Sequence, residues 1–314
     1  MKPNILVICG PTASGKTALA VELALRFRGE VVSADSMQVY RRMDIGTAKP
    51  TLEETRGVPH HMIDVAGPEE NYSVARYVAE AVPIVDGILA RGKLPIIAGG
   101  TGLYIDSLVA GRQFAPFESD SGLRRELQAQ AKAEGLPALY ARLQRLDPDA
   151  ARRIHPNDEK RIIRALEVCL STGKTLSEHD AQTRALANRY TPLTVALNFR
   201  ERHALWERIN QRVDEMMARG LEREVRELLA SGVPRECTAM QAIGYKELAA
   251  ALSEGRRLSD GAEETKLRSR QYAKRQLTWF RRNPDAHWFQ WEKIPDFSAA
   301  VAFSTKLVTD CGLQ

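Results

Sequence analysis

A short apolar run, Asn4-Ile5-Leu6-Val7-Ile8-Cys9, leads straight into Gly10-Pro11-Thr12-Ala13-Ser14-Gly15-Lys16-Thr17. The octet fits G-x-x-x-x-G-K-S/T, a phosphate-cradling loop set between a strand and a helix. No other stretch restricts the fold as much, because it demands a strand before the loop and a helix after it. The apolar helical pattern does begin at Ala18, and the spacing predicts a helix over Gly15–Arg26. Glycines let the backbone curl with its N–H groups inward, Lys16 adds a mobile point charge, and the Thr17 hydroxyl suits Mg²⁺. The helix aims the positive end of its dipole at the same anion. The bland alternative is an ordinary glycine-rich turn. Taken alone, the octet suggests ATP or GTP.

The pattern after the loop alternates strand and helix. Glu30–Ser36 reads as a buried strand, and Met37–Val65 as a surface loop with a short strand at Met62–Val65. A helix is expected over Ser73–Ala90, kinked or shifted at its start by Pro83, then a strand at Leu94–Ala98 turning at Gly99-Gly100-Thr101-Gly102. Such alternation implies an α/β fold, a P-loop NTPase-like parallel sheet flanked by helices, with its working loops at the strand C-termini. From about Phe117 to Tyr190 only helical patterns occur: Leu123–Ala133, Leu136–Leu146 and Glu159–Ser171. Leu193–Leu197 resumes the sheet, so the block reads as an inserted all-helical domain. The expected division is 1–115, 116–190 and 191–314. Helices follow at Arg202–Arg219, Leu221–Ser231, Ala239–Ser253 and Asp260–Arg282, with a last strand at Ala286–Gln290.

Composition narrows the class. With 314 residues, 44% hydrophobic and 27% charged, the chain suits a folded protein with a sizeable core. No apolar run is long enough to span a bilayer and the N-terminus reads as a strand, so a cytoplasmic protein is expected. Cys9, Cys169, Cys237 and Cys311 are scattered and never form C-x-x-C, which suggests reduced thiols. Net charge of +5 and a pI near 9.0 mildly favour an anionic partner.

Phosphate-loop enzymes usually hold Mg²⁺ with a second acid closing an apolar strand. Leu94–Ala98 ends in glycines instead, and the strand-terminal acid is Asp35, which should face the loop across the strand ends. Asp35 could also be a loop or cap carboxylate, and Thr101 a turn hydroxyl. Arg212 falls among Ile209, Val213 and Met216, and periodicity does not decide between surface and pocket. Lys266–Arg282 holds seven positive residues and no acid, interleaved with Tyr272, Trp279 and Phe280. That mixture suits RNA, with a solvated basic face as the alternative. A smaller basic stretch lies at Lys160–Arg164. His60, His61, His155 and His179 lack zinc-ligand spacing.

Together these stretches resemble the tRNA dimethylallyltransferases, also called tRNA isopentenyltransferases (the IPP transferase family), in their bacterial form. The carriers are the octet, Ser33–Tyr40, Met43–Pro50, Gly99–Tyr104, Ile154–Asp158, Gln241–Lys246 and Ala273–Phe280. The eukaryotic enzymes add a C-terminal zinc finger, which is not found here. The family moves a dimethylallyl group from dimethylallyl diphosphate to N6 of the adenosine at tRNA position 37, in tRNAs reading codons that begin with U. The resemblance implies that Gly10 to Thr17 holds the donor diphosphate, with Mg²⁺ on Thr17. It implies Asp35 as base, Thr101 on the bridging oxygen of the leaving group, and Lys16 and Arg212 as counter-charges. It further implies tRNA contacts at Asp35, Ser36, Met37 and Gln38, at Thr101 and Leu123, and at Glu159, Lys160, Arg161, Ile162 and Ile163. Two more contact stretches are implied: Met240, Gln241, Ala242, Ile243, Gly244 and Tyr245; and Ala273, Lys274, Arg275, Gln276, Leu277, Thr278, Trp279 and Phe280. The adenosine would be flipped out of the anticodon loop to reach the site, and a monomer is expected. Rival readings are a nucleoside-phosphate kinase, an isopentenyltransferase for free adenine nucleotides, and a nucleotide-switched RNA-binding regulator.

Overall fold

The computed structural model describes residues 2–112, 121–185 and 187–313. The chain divides into two compact units, Met1–Gly111 with Asn188–Gln314, and Arg112–Ala187. The expected edge at 115/116 and the expected start of the helical block at Phe117 lie outside the described residues.

In chain order the first unit opens with β1 (Asn4–Cys9), α1 (Lys16–Arg26), β2 (Glu30–Ser33), α2 (Leu52–Thr55), β3 (His60–His61), α3 (Val74–Ala90), β4 (Pro95–Gly99) and α4 (Gly102–Ala110). The second unit holds α5 (Ser121–Glu134), α6 (Leu136–Leu146), α7 (Pro148–Arg153), α8 (Glu159–Thr172) and α9 (Leu176–Ala185). The first unit then resumes with β5 (Thr191–Phe199), α10 (Arg202–Ala218), α11 (Leu221–Ala230), α12 (Tyr245–Ser253), α13 (Leu258–Phe280), β6 (His287–Trp291) and α14 (Phe297–Asp310).

The six strands pair in the order β3-β2-β4-β1-β5-β6, and every pairing is parallel. Parallel strands are covered on both faces, so their residues must be apolar on both. In β1, Ile5, Val7 and Cys9 enter one core with residues of α3, α4, α11 and α12. Leu6 and Ile8 enter the other with residues of α1, α10 and α14. Strand β1 at the centre therefore carries the first phosphate-loop residue out between two packed layers. Gly10 is the one position there that tolerates no side chain, because a Cβ would stand 2.5 Å from the Leu197 carbonyl oxygen.

Several expectations are corrected. The short strand lies at His60–His61, not Met62–Val65, since Met62 (φ 62°) and Asp64 (φ 57°) are left-handed and break extension. Strand β2 stops at Ser33 rather than Ser36. Helix α3 runs unbroken past Pro83 from its Ser73 cap, so the proline shifts neither end. The expected helix over Ala239–Ser253 is split: a 3₁₀ turn at Ala239–Gln241, then α12 beginning after Gly244 (φ 97°). Helices α2, α4, α7, α9 and α14 add to the expected set.

In the second unit, Leu127, Leu139, Leu143, Ile154, Ile162 and Leu166 form a separate core. Asp158 caps α8 through the Arg161 N–H, and Gly173 ends that helix in the left-handed region. Among the described residues no helix is long and apolar enough to cross a membrane.

Candidate active site

The C-terminal ends of β1, β2 and β4 open into a cavity of about 810 Å³ in the first unit. Its wall includes Thr12 to Thr17, Asp35 to Gln38, Ile45 to Pro50, Gly99, Gly100, Arg208, Arg212, Tyr272 and Gln276. Lys16, Thr17, Asp35 and Arg212, far apart in sequence, thus share one wall.

The phosphate loop has its shape from its own residues. Gly15 (φ 83°) turns the chain into α1, while Ala13 (φ 63°) holds a left-handed conformation unusual without glycine. Distant side chains then brace it. Gln276 Oε1 accepts the Thr12 N–H at 2.9 Å, Arg208 Nε donates to the Ala13 carbonyl at 3.3 Å, and Trp291 Nε1 donates to the Ser14 carbonyl at 2.9 Å. Arg212 Nη1 donates to Thr12 Oγ1 at 3.4 Å, which resolves the open question about that residue in favour of the pocket. The Lys16 ammonium donates to the Pro11 carbonyl at 2.7 Å. Burial pushes its pKa down to about 8; neighbouring Arg212 lowers it further, and Asp35 works the other way. Burial also lowers the Arg212 pKa, again opposed by Asp35. Two cations held against their solvation preference lose that cost when an anion enters.

Asp35 caps no helix. Its Oδ1 accepts the Met37 N–H at 2.9 Å, which orients the carboxylate and leaves Oδ2 as its second acceptor. Thr101 precedes α4 but makes no side-chain cap bond there. Its Oγ1 instead accepts the Ser36 N–H at 3.1 Å and lies 3.3 Å from Ser36 Oγ. The hydroxyl is therefore joined to the residue beside Asp35 rather than used within its own turn. Burial raises the Tyr272 hydroxyl to about 12, keeping a neutral phenol in the wall.

A second loop, Met37–Pro50, closes the other side. The Glu224 carboxylate accepts three successive backbone N–H groups, from Asp44 (3.0 Å), Ile45 (2.9 Å) and Gly46 (3.3 Å), and the Tyr245 hydroxyl also donates to it. Lys49, 7% exposed, donates to the Tyr40 carbonyl and to Asp44 and Asp64 at 2.5–2.7 Å. Gln38 lies between: its Oε1 accepts from Ser33 Oγ at 3.0 Å, and its Nε2 donates to the Thr47 and Ala48 carbonyls at 3.2 Å each.

The side chains of the contact stretches implied by the resemblance divide by burial. Met240, Ala242, Tyr245, Ala273, Gln276 and Phe280 are buried in the first unit, and Ile162 and Ile163 in the second. Their side chains hold the fold beneath exposed neighbours. Gln241, Lys274, Arg275 and Thr278 are exposed on the first unit; Ile243, Leu277 and Trp279 are half-buried there. Glu159, Lys160 and Arg161 are exposed on the second unit, where Leu123 packs against its core. Trp279 donates from Nε1 to Asp106 at 2.9 Å, and Arg282 stacks on its ring at 5.2 Å. Within the basic run, Lys266 pairs with Asp214 at 2.7 Å and Arg268 with Glu264 at 3.4 Å. Sequence reasoning missed Arg208, Glu224 and Trp291. Arg208 lies one helical turn before Arg212, the one signal available for it.

Residues 38–283 match the model of the IPP transferase family, and residues 3–67 that of isopentenyl transferases. A tRNA dimethylallyltransferase of Caldanaerobacter subterraneus is 49% identical over 290 residues, covering 92% of each chain. That of Bacillus licheniformis is 49% identical over 289 residues, covering 92% of this chain and 91% of its own. Among solved structures, the tRNA isopentenylpyrophosphate transferase of Bacillus halodurans superposes with a TM-score of 0.72 at 41% identity, covering 100% of this chain and 99% of its own. A eukaryotic dimethylallyltransferase acting on tRNA gives a TM-score of 0.81 at 31% identity, covering 98% of this chain and 80% of its own. A catalytic family thus matches from the phosphate loop through the basic helix, and the chain belongs to the IPP transferase family.

Proposed function

We propose that this chain transfers the dimethylallyl group of dimethylallyl diphosphate to N6 of the adenosine at tRNA position 37, beside the anticodon, and releases diphosphate. The observation that carries the reading is the meeting, in one cavity, of an anion cradle with a carboxylate oriented across from it. The relatives named above are tRNA dimethylallyltransferases, which supports tRNA rather than a free nucleotide as the acceptor.

The chemistry follows from the charges. As the allylic carbon loses diphosphate it becomes cation-like, so the barrier falls when negative charge growing on the leaving group is stabilised. Backbone N–H groups after Thr12, with Lys16 and Arg212, supply that stabilisation, and Thr101 donates to the bridging oxygen. Adenine N6 is a weak nucleophile, and Asp35 accepts its proton as the N–C bond forms. Mg²⁺ fits this site in one way. No group of three or more His, Cys, Asp or Glu residues forms a metal cluster among the described residues. The Thr17 hydroxyl, in the cavity wall, would therefore hold the ion together with the donor's phosphate oxygens, as suits a cation that keeps most of its water. Bound there, it would supply further charge neutralisation to the leaving group.

The acceptor nucleotide would arrive with the anticodon stem-loop of tRNAs reading codons that begin with U. The reading takes the protein as a cytoplasmic monomer. Purified protein given labelled dimethylallyl diphosphate with tRNA or AMP tests the whole reading. Label is expected in tRNA alone; label in AMP, or a requirement for ATP, would overturn it.

A further inference from the structure

Gln276 lies in the middle of the basic run of α13, among residues that the resemblance assigns to tRNA contact, yet it faces inward. It is 5% exposed and shares its helix face with buried Ala273 and Phe280. Its amide makes two bonds to backbone far away in sequence. Oε1 accepts the Thr12 N–H at 2.9 Å, and Nε2 donates to the Gly100 carbonyl at 2.9 Å.

Those two backbone groups belong to the loops that leave β1 and β4. The strands pair in register as far as Cys9 and Gly99. Past that pair the ladder ends, and the Gln276 amide spans the gap. One loop carries the anion cradle, and the other carries Thr101 one residue beyond Gly100. A neutral amide of this length supplies an acceptor and a donor at once, which no apolar or acidic side chain does. The turn is shaped to admit it, because a Cβ on Gly100 would run into Gln276 Nε2.

We propose that Gln276 is a positioning residue for the transfer, holding the diphosphate loop and the Thr101 turn at one separation so that both address the same leaving group. The proposal rests on the function inferred above. It assigns Gln276 to the donor side of the reaction, whereas the exposed residues around it on α13 face outward. Donor binding and tRNA binding should then respond differently to its loss.

The experiment compares the full-length chain with Gln276→Leu, Gly100→Ala and the double variant. Inorganic diphosphate with Mg²⁺ is titrated calorimetrically, tRNA binding is measured separately, and single-turnover transfer is followed with labelled dimethylallyl diphosphate. Losing a buried amide that satisfied two backbone groups should weaken diphosphate binding about tenfold and slow transfer about 10- to 100-fold. The tRNA affinity should stay within about twofold, a selectivity that general loosening of the fold would not produce. Gly100→Ala pushes on the same amide from the other side, so its loss should resemble that of Gln276→Leu, and the double variant should be no worse than the worse single one. If Gln276→Leu does not fold, Gly100→Ala alone carries the test. Weakened tRNA binding with diphosphate binding unchanged would overturn the proposal, as would losses that multiply in the double variant. If the unaltered chain put no label into tRNA, the proposed function would fall, while the diphosphate titration would still report what Gln276 holds.

Discussion

Two loops leave the C-terminal ends of parallel strands that flank β4 on either side and enclose the same cavity, but they are built on different principles. Gly10–Thr17 follows β1, and its conformation is written locally in two glycines, a helix start and a lysine. Distant side chains, Gln276, Arg208 and Trp291, brace a shape that local sequence already specifies. Met37–Pro50 follows β2 and carries no comparable local signal. Non-glycine residues Arg42 (φ 66°) and Ala48 (φ 49°) take left-handed conformations there, two against the single Ala13 of the first loop, and such conformations persist only when the surroundings impose them. From outside, Glu224 accepts three consecutive N–H groups and Asp64 accepts from Lys49, which within the loop also holds the Tyr40 carbonyl and Asp44. One loop is braced from a distance; the other is shaped from a distance.

The largest effects should separate what the two sides of the cavity do. Lys16 belongs to the first loop and Asp35 to the root of the second. Lys16→Met should abolish measurable diphosphate binding and turnover together. Asp35→Ala should lower single-turnover transfer by roughly tenfold to several-thousandfold while diphosphate and tRNA still bind. Thr101→Ala should fall in the same range. Full single-turnover rates in both Asp35→Ala and Thr101→Ala would remove the roles assigned to them.

Glu224→Ala attacks the shaping of the second loop without touching the cavity's reacting groups. It leaves three backbone N–H groups and the Tyr245 hydroxyl without their acceptor, at a cost to folding of about 1–3 kcal/mol. Because the freed segment Asp44–Gly46 runs directly into the Thr47 and Ala48 carbonyls that hold Gln38, transfer should slow by about 10-fold even where the protein is fully folded. Denaturant melts and single-turnover rates on the same sample would separate the two losses. A loop with its own local shape would show the first without the second.

The same contrast explains what could be read from the chain beforehand. The parallel sheet, the phosphate loop and Asp35 at a strand end were legible because strand alternation, glycine spacing and apolar periodicity are local signals. Strand β3 was misplaced because it is two residues long, pairs only with Val31 and Val32, and owes its end to the left-handed Met62. Helix α2, four residues held by the Thr51–Glu54 capping box, is too short to show a period. Helix α14 did carry signals, an Asp296 cap and Ala300, Ser304 and Val308 at successive turns. Gln276 was read as part of an RNA-facing run because its charged neighbours dominate that stretch. Its spacing from Ala273 and Phe280, three and four residues away, marks the inward face of a helix. Glu224 had no local signal, since a glutamate on an amphipathic helix is ordinary until its backbone partners are known.

Titration offers a milder way to probe the first loop. Lys16 has its pKa pushed down to about 8, chiefly by burial, so its ammonium is charged below that value and neutral above it. Affinity for diphosphate should hold up to about pH 8 and then weaken, by up to about tenfold per pH unit. The sign for stability is opposite. Since the folded pKa lies below the unfolded value of 10.5, the charged lysine costs the folded state stability at neutral pH, and that cost shrinks as pH rises from about 8 towards 10.5. Lys16→Met should consequently melt higher than the unaltered chain at pH 7, by about 2–4 °C for each kcal/mol relieved. A melting temperature below that of the unaltered chain would mean that the bond to the Pro11 carbonyl outweighs the burial of the charge.

The smallest expected effect tests whether the first loop is merely braced. Trp291→Phe removes the indole N–H from the Ser14 carbonyl but keeps an aromatic ring among Phe199 and Phe289. The packing change is modest, and the freed carbonyl has a second route to satisfaction through small shifts of the loop. Losing one neutral hydrogen bond should cost about 1 kcal/mol of stability. If local sequence specifies the loop, diphosphate affinity should change by no more than about threefold, because Gly15, the helix start and Lys16 still dictate where the N–H groups point. Glu224→Ala should do more damage to transfer than Trp291→Phe, although Trp291 is bonded to the phosphate loop itself and Glu224 to the other loop. The reverse ranking, measured as single-turnover rates at saturating tRNA, would mean that the phosphate loop also takes its shape from a distance.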